Sequence, residues 1–244
     1  MLEEMEATAV DEGVPLEVEL ARASFRIRAE QAALTPKDLE CSFENFDPNA
    51  GGNKTALEVA KAFAKNYNGE GVGLLFYGPV GVGKSHLCAA ICKGLLKRGI
   101  KVRKVSMPDF LAGNRSAFAD TENDLDELLD RLAEFEVLWL DDLTADHIAC
   151  AYEAKRAAEL LYRLLDRAIQ HKQALLVTTN HTLTELQAKL TELDGSERIF
   201  DRLRELVVPI RMHGASQRGK VRDAKIPDWL KAAAGFNAKP TKGA

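Results

Sequence analysis

The segment GPVGVGKS, residues 78–85, has the residue types and the spacing that a phosphate-binding loop requires. Its glycines allow backbone N–H groups to curl around phosphate oxygens, and a helix that begins directly after the loop adds a favourable dipole. In a G-x-x-x-x-G-K-S loop, Lys84 would reach the β and γ phosphates and the Ser85 hydroxyl would ligate Mg²⁺. We therefore expect ATP and Mg²⁺ to bind here. The residues expected to contact the nucleotide are Gly78, Pro79, Val80, Gly81, Val82, Gly83, Lys84, Ser85 and His86.

Two acidic residues follow an apolar segment further along the chain. The segment VLWLDD, residues 137–142, ends in Asp141 and Asp142, as is typical of a Walker B strand. We expect Asp141 to hold Mg²⁺, mostly through water, because this ion keeps several of its waters. Asp142 would act as a base or position the attacking water; since many proteins of this architecture have the longer Glu there, we expect slow hydrolysis. Alternatively, Asp142 is a helix N-cap before Leu143 and Thr144.

A single asparagine ends another apolar segment. Asn180 directly follows ALLVTT, residues 174–179. If this strand lies between the strand of the phosphate loop and the Walker B strand, its tip points at the γ-phosphate and Asn180 can orient water. The alternative is an Asx turn that simply ends the strand.

The segment ERIFDRLRE, residues 197–205, contains Arg198, Arg202 and Arg204. One interpretation is an ordinary surface helix, because Asp201 lies three residues from Arg198 and from Arg204, and such pairs support a helix by a few tenths of a kcal/mol. The other is an arginine that reaches the nucleotide of a neighbouring subunit. Arginine suits this task because it is always charged and meets two phosphate oxygens at once.

Short apolar segments alternate with helical periodicity over most of the chain. Strands are predicted at 73–78, 101–106, 137–140, 174–179 and 206–212. Helices are predicted at 15–34, 55–67, 84–98, roughly 108–135, 151–172 and, with a break, 183–205. This alternation predicts an α/β fold in which a five-stranded, mostly parallel sheet lies between helices and binds its ligand at the carboxyl ends of the strands.

Charge is distributed unevenly along the 244 residues, whose net charge is −4. Residues 1–20 hold seven acids and no base, whereas residues 218–244 hold seven Lys/Arg and two Asp. We expect an acidic N-terminal segment with one amphipathic helix at 1–40, an ATPase domain at 41–215 and a basic tail at 216–244. The sequence has no apolar run long enough for a membrane span and no signal peptide, so a cytoplasmic protein is expected.

The cysteines are predicted to be buried free thiols. Cys88 and Cys92 lie one turn apart in a predicted core helix, and Cys41 and Cys150 form no close pair with them. The scattered histidines supply no cluster of metal ligands.

Contacts to DNA have three weak candidates in the sequence. The basic segment KRGIKVRK, residues 97–104, could meet phosphates, although its charges would equally suit a helix end and a sheet edge. Residues 107–136 contain Arg115 and Phe118 but are rich in acids, which favours a solvated helix. The basic tail could bind single-stranded DNA without sequence preference.

Six segments together resemble the DnaC/DnaI-type helicase loaders, which are AAA+ ATPases in the branch shared with the IstB transposition helpers. These segments, in chain order, are FENFDPNAGGNKTALEVAKAF, GLLFYGPVGVGKSHL, VLWLDDL, VTTN, ERIFDRLRE and HGASQR. The resemblance covers about residues 41–218. It departs from the family at Thr144, where Gly is frequent, at Gln217, where an aromatic residue is frequent, and in an N-terminal segment without zinc ligands.

The resemblance implies an AAA+ core of five strands without the usual large C-terminal helical lid. It makes Asn180 the sensor 1 residue, Arg202 the arginine finger with Arg198 beside it, and Arg218 the late sensor arginine. It also implies a homo-oligomer with ATP sites between subunits.

Four functions are compatible with these residues. The first is an ATP-dependent switch that loads a replicative helicase onto single-stranded DNA. The second is an IstB-like ATPase that assists a transposase. The third is a small-molecule kinase, which would need an arginine-bearing lid that the region after the fourth strand does not show. The fourth is a nucleotide-gated DNA clamp that hardly hydrolyses ATP.

Overall fold

A central parallel sheet organises the structure, a computed structural model that describes residues 15–111, 122–144 and 151–217. Its strands are β1 (Gly73–Tyr77), β2 (Val102–Ser106), β3 (Val137–Asp141), β4 (Ala174–Thr179) and β5 (Val207–Arg211). They lie in the order β2-β3-β4-β1-β5, and every neighbouring pair is parallel. The predicted α/β class is confirmed, and each predicted strand end lies within one residue of the observed end.

The helices cover both faces of this sheet. They are α1 (Leu16–Gln31), α2 (Pro36–Glu40), α3 (Lys54–Asn66), α4 (Lys84–Lys97), α5 (Met107–Leu111), α6 (Glu122–Ala133), α7 (Ala151–Gln170), α8 (Leu183–Asp194) and α9 (Arg198–Leu206). No helix within the described ranges has the length and apolar character needed to cross a membrane. The expected absence of a large C-terminal lid concerns residues beyond 217, which lie outside the described part of the chain.

Two apolar cores lie on opposite faces of the sheet. Alternate residues of the central strands point to opposite sides, so Leu75 joins the core formed with α5 to α9 whereas Leu74 and Phe76 join the core formed with α1, α3 and α4. Strands β3 and β4 are almost entirely buried. Burial on both faces explains why these strands are continuous apolar segments in the sequence.

The short helix α2 begins at Pro36, just after the end of the first predicted helix. Thr35 caps it: the Thr35 hydroxyl accepts from the Asp38 N–H at 3.2 Å, and the Asp38 carboxylate accepts from the Thr35 N–H at 2.9 Å. Pro36 occupies the first turn, where a missing N–H costs nothing. The helix predicted at 15–34 ends at Gln31, and the proline begins a second, short helix that the sequence analysis did not predict.

Candidate functional site

The phosphate loop joins β1 to α4, as predicted from its sequence. Gly78 and Gly81 have φ values of 134° and 80°, in the region that favours glycine. A Cβ atom at Gly78 would lie 2.2 Å from the backbone oxygen of Met212, and one at Gly81 would lie 2.1 Å from Oγ of Ser216. The loop therefore requires glycine both for its backbone conformation and for the close approach of the chain that follows β5.

Lys84 lies at the centre of the loop and is only 6% exposed. Its Nζ donates to the backbone oxygens of Gly78 and Pro79, each at 2.7 Å, and to Oδ1 of Asn180 at 2.8 Å. An ammonium group has three protons to donate, and these three acceptors fix its position. The lysine is thereby held between the loop and the tip of β4.

The Ser85 hydroxyl and the Asp141 carboxylate meet beside this lysine. Ser85 Oγ donates to Asp141 Oδ1 at 2.9 Å, and the hydroxyl of Thr178 donates to the same oxygen at 2.8 Å. Carboxylate and hydroxyl oxygens are the hard donors that Mg²⁺ prefers, and this ion is usually held by one or two protein groups together with phosphates. The donor set of Ser85 and Asp141 thus fits Mg²⁺.

Asn180 connects Lys84 to Asp142. Its Oδ1 accepts from Lys84, and its Nδ2 donates to Oδ1 of Asp142 at 2.9 Å. The condition placed on this residue is met, because β4 lies between β1 and β3 in the sheet. Asp142 has a φ of 60°, unlike the extended backbone of a typical N-cap residue.

Thr178 is a residue of this site that the sequence analysis missed. Besides its bond to Asp141, its hydroxyl accepts from the backbone N–H of Asp142 at 2.8 Å. The side chain therefore sets the relative position of the two acids. A polar residue near the end of a buried strand, two positions before Asn180, was the available signal.

A second missed feature is the meeting of two distant segments beside the phosphate loop. Asn53 exchanges two hydrogen bonds, each 2.9 Å long, with the backbone N–H and oxygen of His213. The Gln217 N–H donates to the backbone oxygen of Gly81 at 2.9 Å. These bonds hold the chain before α3 and the chain after β5 against the loop.

The His86 side chain packs against the segment that precedes α3. Its Nε2 lies 2.8 Å from the backbone oxygen of Ser42, and its ring meets that of Phe46 edge-on at 5.5 Å between centroids. Phe46 also packs against Gly83, where a Cβ atom would lie 2.6 Å from its ring. The segment around Phe46 therefore supports the end of the phosphate loop.

Arg198 and Arg202 lie on α9 and form different ion pairs. Arg198 bonds the carboxylate of Asp194 through Nε and Nη2 at 2.7–3.0 Å and stacks over the ring of Tyr162. Arg202 makes longer ion pairs, 3.3 Å to Glu205 and 3.5 Å to Asp166, and also forms a hydrogen bond with Tyr162. Within the described part of the chain, neither Arg198 nor Arg204 forms an ion pair with Asp201, so the i,i+3 pairs of the surface-helix interpretation are not formed.

The basic segment 97–104 is largely committed to contacts within the protein. Arg98 donates to the backbone oxygens of Ala64 and Tyr67 at the end of α3. Lys104 lies on β2, which is an edge strand as expected, and pairs with the carboxylates of Asp38 and Asp141. The use of these cations inside the fold weakens this segment as a DNA contact.

The other DNA candidates are only partly within the described residues. The acidic helix α6 pairs with α7, where Arg163 and Arg167 contact Asp126. Arg115, Phe118 and Arg218 lie outside the described residues, as does the basic tail after Gln217.

The predicted burial of the cysteines is confirmed for two of them. Cys88 and Cys92 are free and fully buried in α4, and burial raises the pKa of both thiols. Cys41 is free but only half-buried, so the prediction that it is buried was wrong. Cys150 lies outside the described residues.

The fold and the site define a P-loop nucleotide-binding protein with an AAA+ core. The chain belongs to the family of IstB-like ATP binding proteins, whose model matches residues 14–224. The replicative helicase loader DnaC of Escherichia coli (strain K12) is 29% identical over 174 residues, covering 71% of this chain and 67% of DnaC.

Solved structures agree with this assignment. The crystal structure of DnaI matches with a TM-score of 0.62 at 28% identity and covers 76% of this chain and 94% of that chain. The crystal structure of the DnaC helicase loader matches in fold with a TM-score of 0.60 at 22% identity and covers 73% of this chain and 99% of that chain. The resemblance to the DnaC/DnaI-type proteins is confirmed.

Proposed function

We propose that this protein is an ATP-driven switch that loads a replicative helicase onto single-stranded DNA during DNA replication. The observation that supports a switch is the position of Asn180, which bonds both Lys84 of the phosphate loop and Asp142 beside the Walker B strand. The nature of the partner is supported by the similarity to DnaC, a replicative helicase loader.

Hydrolysis in this proposal uses the groups at the tips of β1, β3 and β4. Ser85 and Asp141 would hold Mg²⁺, which neutralises phosphate charge when bound. Lys84 would contact the β and γ phosphates from its buried position in the loop. Asp142, oriented by Asn180, would hold the attacking water and accept its proton. The short aspartate side chain favours slow turnover, which suits a timed release.

Arg202 is the proposed arginine finger that acts on a neighbouring subunit. Its ion pairs with Glu205 and Asp166 are longer than the ion pair of Arg198 with Asp194, and it also forms a hydrogen bond with Tyr162. The longer ion pairs support Arg202 over Arg198 as the arginine that turns toward a neighbour. Hydrolysis would then require a homo-oligomer with ATP sites between subunits.

The remaining parts of the proposal concern regions at the ends of the chain. We assign the ATPase domain to residues 41–215, an acidic segment to 1–40 and a basic tail to 216–244, which would contact single-stranded DNA through its excess of cations. Arg218 would serve as the late sensor arginine. The proposed setting is the cytoplasm, where a replicative helicase works.

Co-purification tests the partner directly. The full chain, charged with ATP and Mg²⁺, should retain a replicative helicase, and the Lys84→Ala variant should not. Retention of a transposase in place of the helicase would instead establish the IstB-like alternative. Transfer of phosphate to a nucleoside would contradict both and indicate a kinase.

Steady-state ATP hydrolysis separates a switch from a clamp. Slow turnover that changes when single-stranded DNA is added is expected of the switch. Nucleotide binding without turnover under either condition would show that the protein is a clamp and that Asp142 does not activate water.

A further inference from the structure

Lys104 lies beside the Walker B carboxylate and forms ion pairs with two acids, Asp38 and Asp141. Its Nζ is 3.0 Å and 3.1 Å from the two oxygens of Asp38 and 3.4 Å from Oδ2 of Asp141. It also lies 4.1 Å from the centroid of the Trp139 ring. The Lys104 side chain is 15% exposed, so solvent screens these charges only weakly.

The two oxygens of Asp141 therefore face different surroundings. Oδ1 accepts from Ser85 and Thr178 on the side of the phosphate loop. Oδ2 faces the ammonium group of Lys104. A cation at this distance competes with a divalent ion for the charge of the same carboxylate, and the competition weakens if another acid draws the cation away.

Asp38 is the acid that competes with Asp141 for the Lys104 ammonium group. Its position depends on the N-terminal part of the fold. Its carboxylate is fixed by the capping bonds from Thr35 at the start of α2. The end of α2 is held in turn by Lys93 of α4, whose Nζ donates to the backbone oxygens of Leu39 and Cys41 at 2.5 Å and 2.7 Å. A movement of α2 would thus change how Lys104 is shared.

We propose that Lys104 is a positioning residue that sets the Mg²⁺ affinity of the ATP site through Asp141, and that Asp38 controls this effect. With Asp38 in place, Lys104 is shared and Asp141 keeps most of its charge for Mg²⁺. When Asp38 is lost or displaced, Lys104 pairs fully with Asp141 and Mg²⁺ binds less tightly. The contact from Asp38 to Lys104 connects the N-terminal segment to the metal site. This inference rests on the proposed ATP site.

The test measures how much Mg²⁺ is needed for binding of a fluorescent ATP analogue to the full chain. Asp38→Asn keeps an acceptor for the capping bonds but removes the charge, and we expect the Mg²⁺ midpoint to rise roughly tenfold, as for a unit charge rearranged within a few ångströms. Lys104→Met should lower the midpoint. The double variant, Asp38→Asn with Lys104→Met, should have the same midpoint as Lys104→Met, because the ammonium group through which Asp38 acts is then absent.

Two controls keep the outcomes distinct. Glu58→Gln removes one negative charge from an exposed position on α3 and should leave the midpoint unchanged. Thermal unfolding of each variant shows whether it folds, and a general loss of structure cannot shift the two single variants in opposite directions. A folded Asp38→Asn protein with the wild-type midpoint, or a Lys104→Met protein with an unchanged or raised midpoint, would overturn the inference. Failure of the wild-type chain to bind the analogue would instead reject the ATP site itself.

Discussion

The Nδ2 atom of Asn180 lies 2.9 Å from Oδ1 of Asp142 and donates a hydrogen bond to it. The two residues belong to neighbouring strand ends and are 38 positions apart in the sequence. Their contact gives the proposed water-holding carboxylate a fixed direction, because the other end of the same amide is bonded to Lys84.

Replacing Asn180 with alanine should therefore slow hydrolysis without preventing binding. Loss of a side chain that orients a catalytic acid is expected to lower kcat by roughly 10²-fold, while the affinity for ATP changes little. Steady-state hydrolysis and equilibrium binding of an ATP analogue measure the two effects. The exposed loop residue Asn49 provides the control, since Asn49→Ala should leave both unchanged. Equal turnover in the two variants would show that Asn180 does not orient the catalytic acid and only ends the strand.

Loss of the arginine finger should act on turnover and not on folding. We expect Arg202→Ala to reduce hydrolysis by about 10³-fold or more, the range known for such residues, while ATP binding and thermal stability stay near the wild-type values. Arg204→Ala is the matched control on the same helix, because Arg204 approaches the ring of Phe200 and forms no ion pair with any residue that the structure describes. Wild-type turnover in Arg202→Ala would contradict the finger and show that Arg202 only forms ion pairs at the surface.

Mixing two inactive variants shows whether the finger acts between subunits. Arg202→Ala keeps an intact phosphate loop and Lys84→Ala keeps an intact finger. A mixed oligomer contains interfaces with both intact parts, so part of the activity should return. If the mixture stays inactive although the subunits exchange, the arginine acts within its own chain or not at all.

Acid stability should depend on the pair formed by Arg198 and Asp194. Hydrogen bonds from the Arg198 guanidinium hold the pKa of Asp194 below its ordinary value, with a further contribution from the Ser196 hydroxyl. A carboxyl whose pKa is lowered by folding stabilises the protein above its unfolded pKa, and this stability is lost as the pH falls through its folded pKa.

Urea unfolding of the wild type and of Arg198→Ala measures this contribution. The wild type should be more stable at neutral pH, and the difference should shrink as the pH is lowered below about 4, the ordinary pKa of aspartate. Arg204→Ala serves again as the control. A difference that does not change with pH would show that Arg198 stabilises α9 by packing on Tyr162 alone.

The glycine at position 81 should tolerate no side chain. Gly81→Ala combines a left-handed backbone with a clash against Ser216, and we expect a loss of roughly 2–4 kcal/mol together with weaker ATP binding. Gly52 has a similar φ of 71° but open space around it, so Gly52→Ala should cost only about 1–2 kcal/mol. Adding Ser216→Gly to Gly81→Ala should recover part of the loss. Urea unfolding of the four proteins decides whether the contact or the backbone conformation dominates.

Local features of the sequence were sufficient to predict the sheet and the phosphate loop. The strand ALLVTT at 174–179 is apolar because it is buried on both faces, and the loop at 78–85 is defined by glycines within a few residues of one another. The proximity of Asn180 to the phosphate loop could be predicted on the assumption that β4 lies between β1 and β3.

Contacts between distant segments could not be predicted in the same way. From the sequence, Lys104 was interpreted as a solvent-exposed charge on an edge strand. The residues near it in the sequence do not reveal that α2 places Asp38 beside it. The pairing of Arg202 with Asp166 likewise depends on the packing of α9 on α7. Side-chain direction and helix packing, which are set by the whole fold, decide such pairs.

The hydrogen bond from the Gln217 N–H to Gly81 has a mechanical consequence. Gln217 is the last residue that the structure describes before the segment 218–244, whose sequence holds seven Lys/Arg. A force on the backbone at Gln217 would therefore reach Gly81 through one hydrogen bond. In the proposed function, strain on the basic tail would act on the loop that binds ATP.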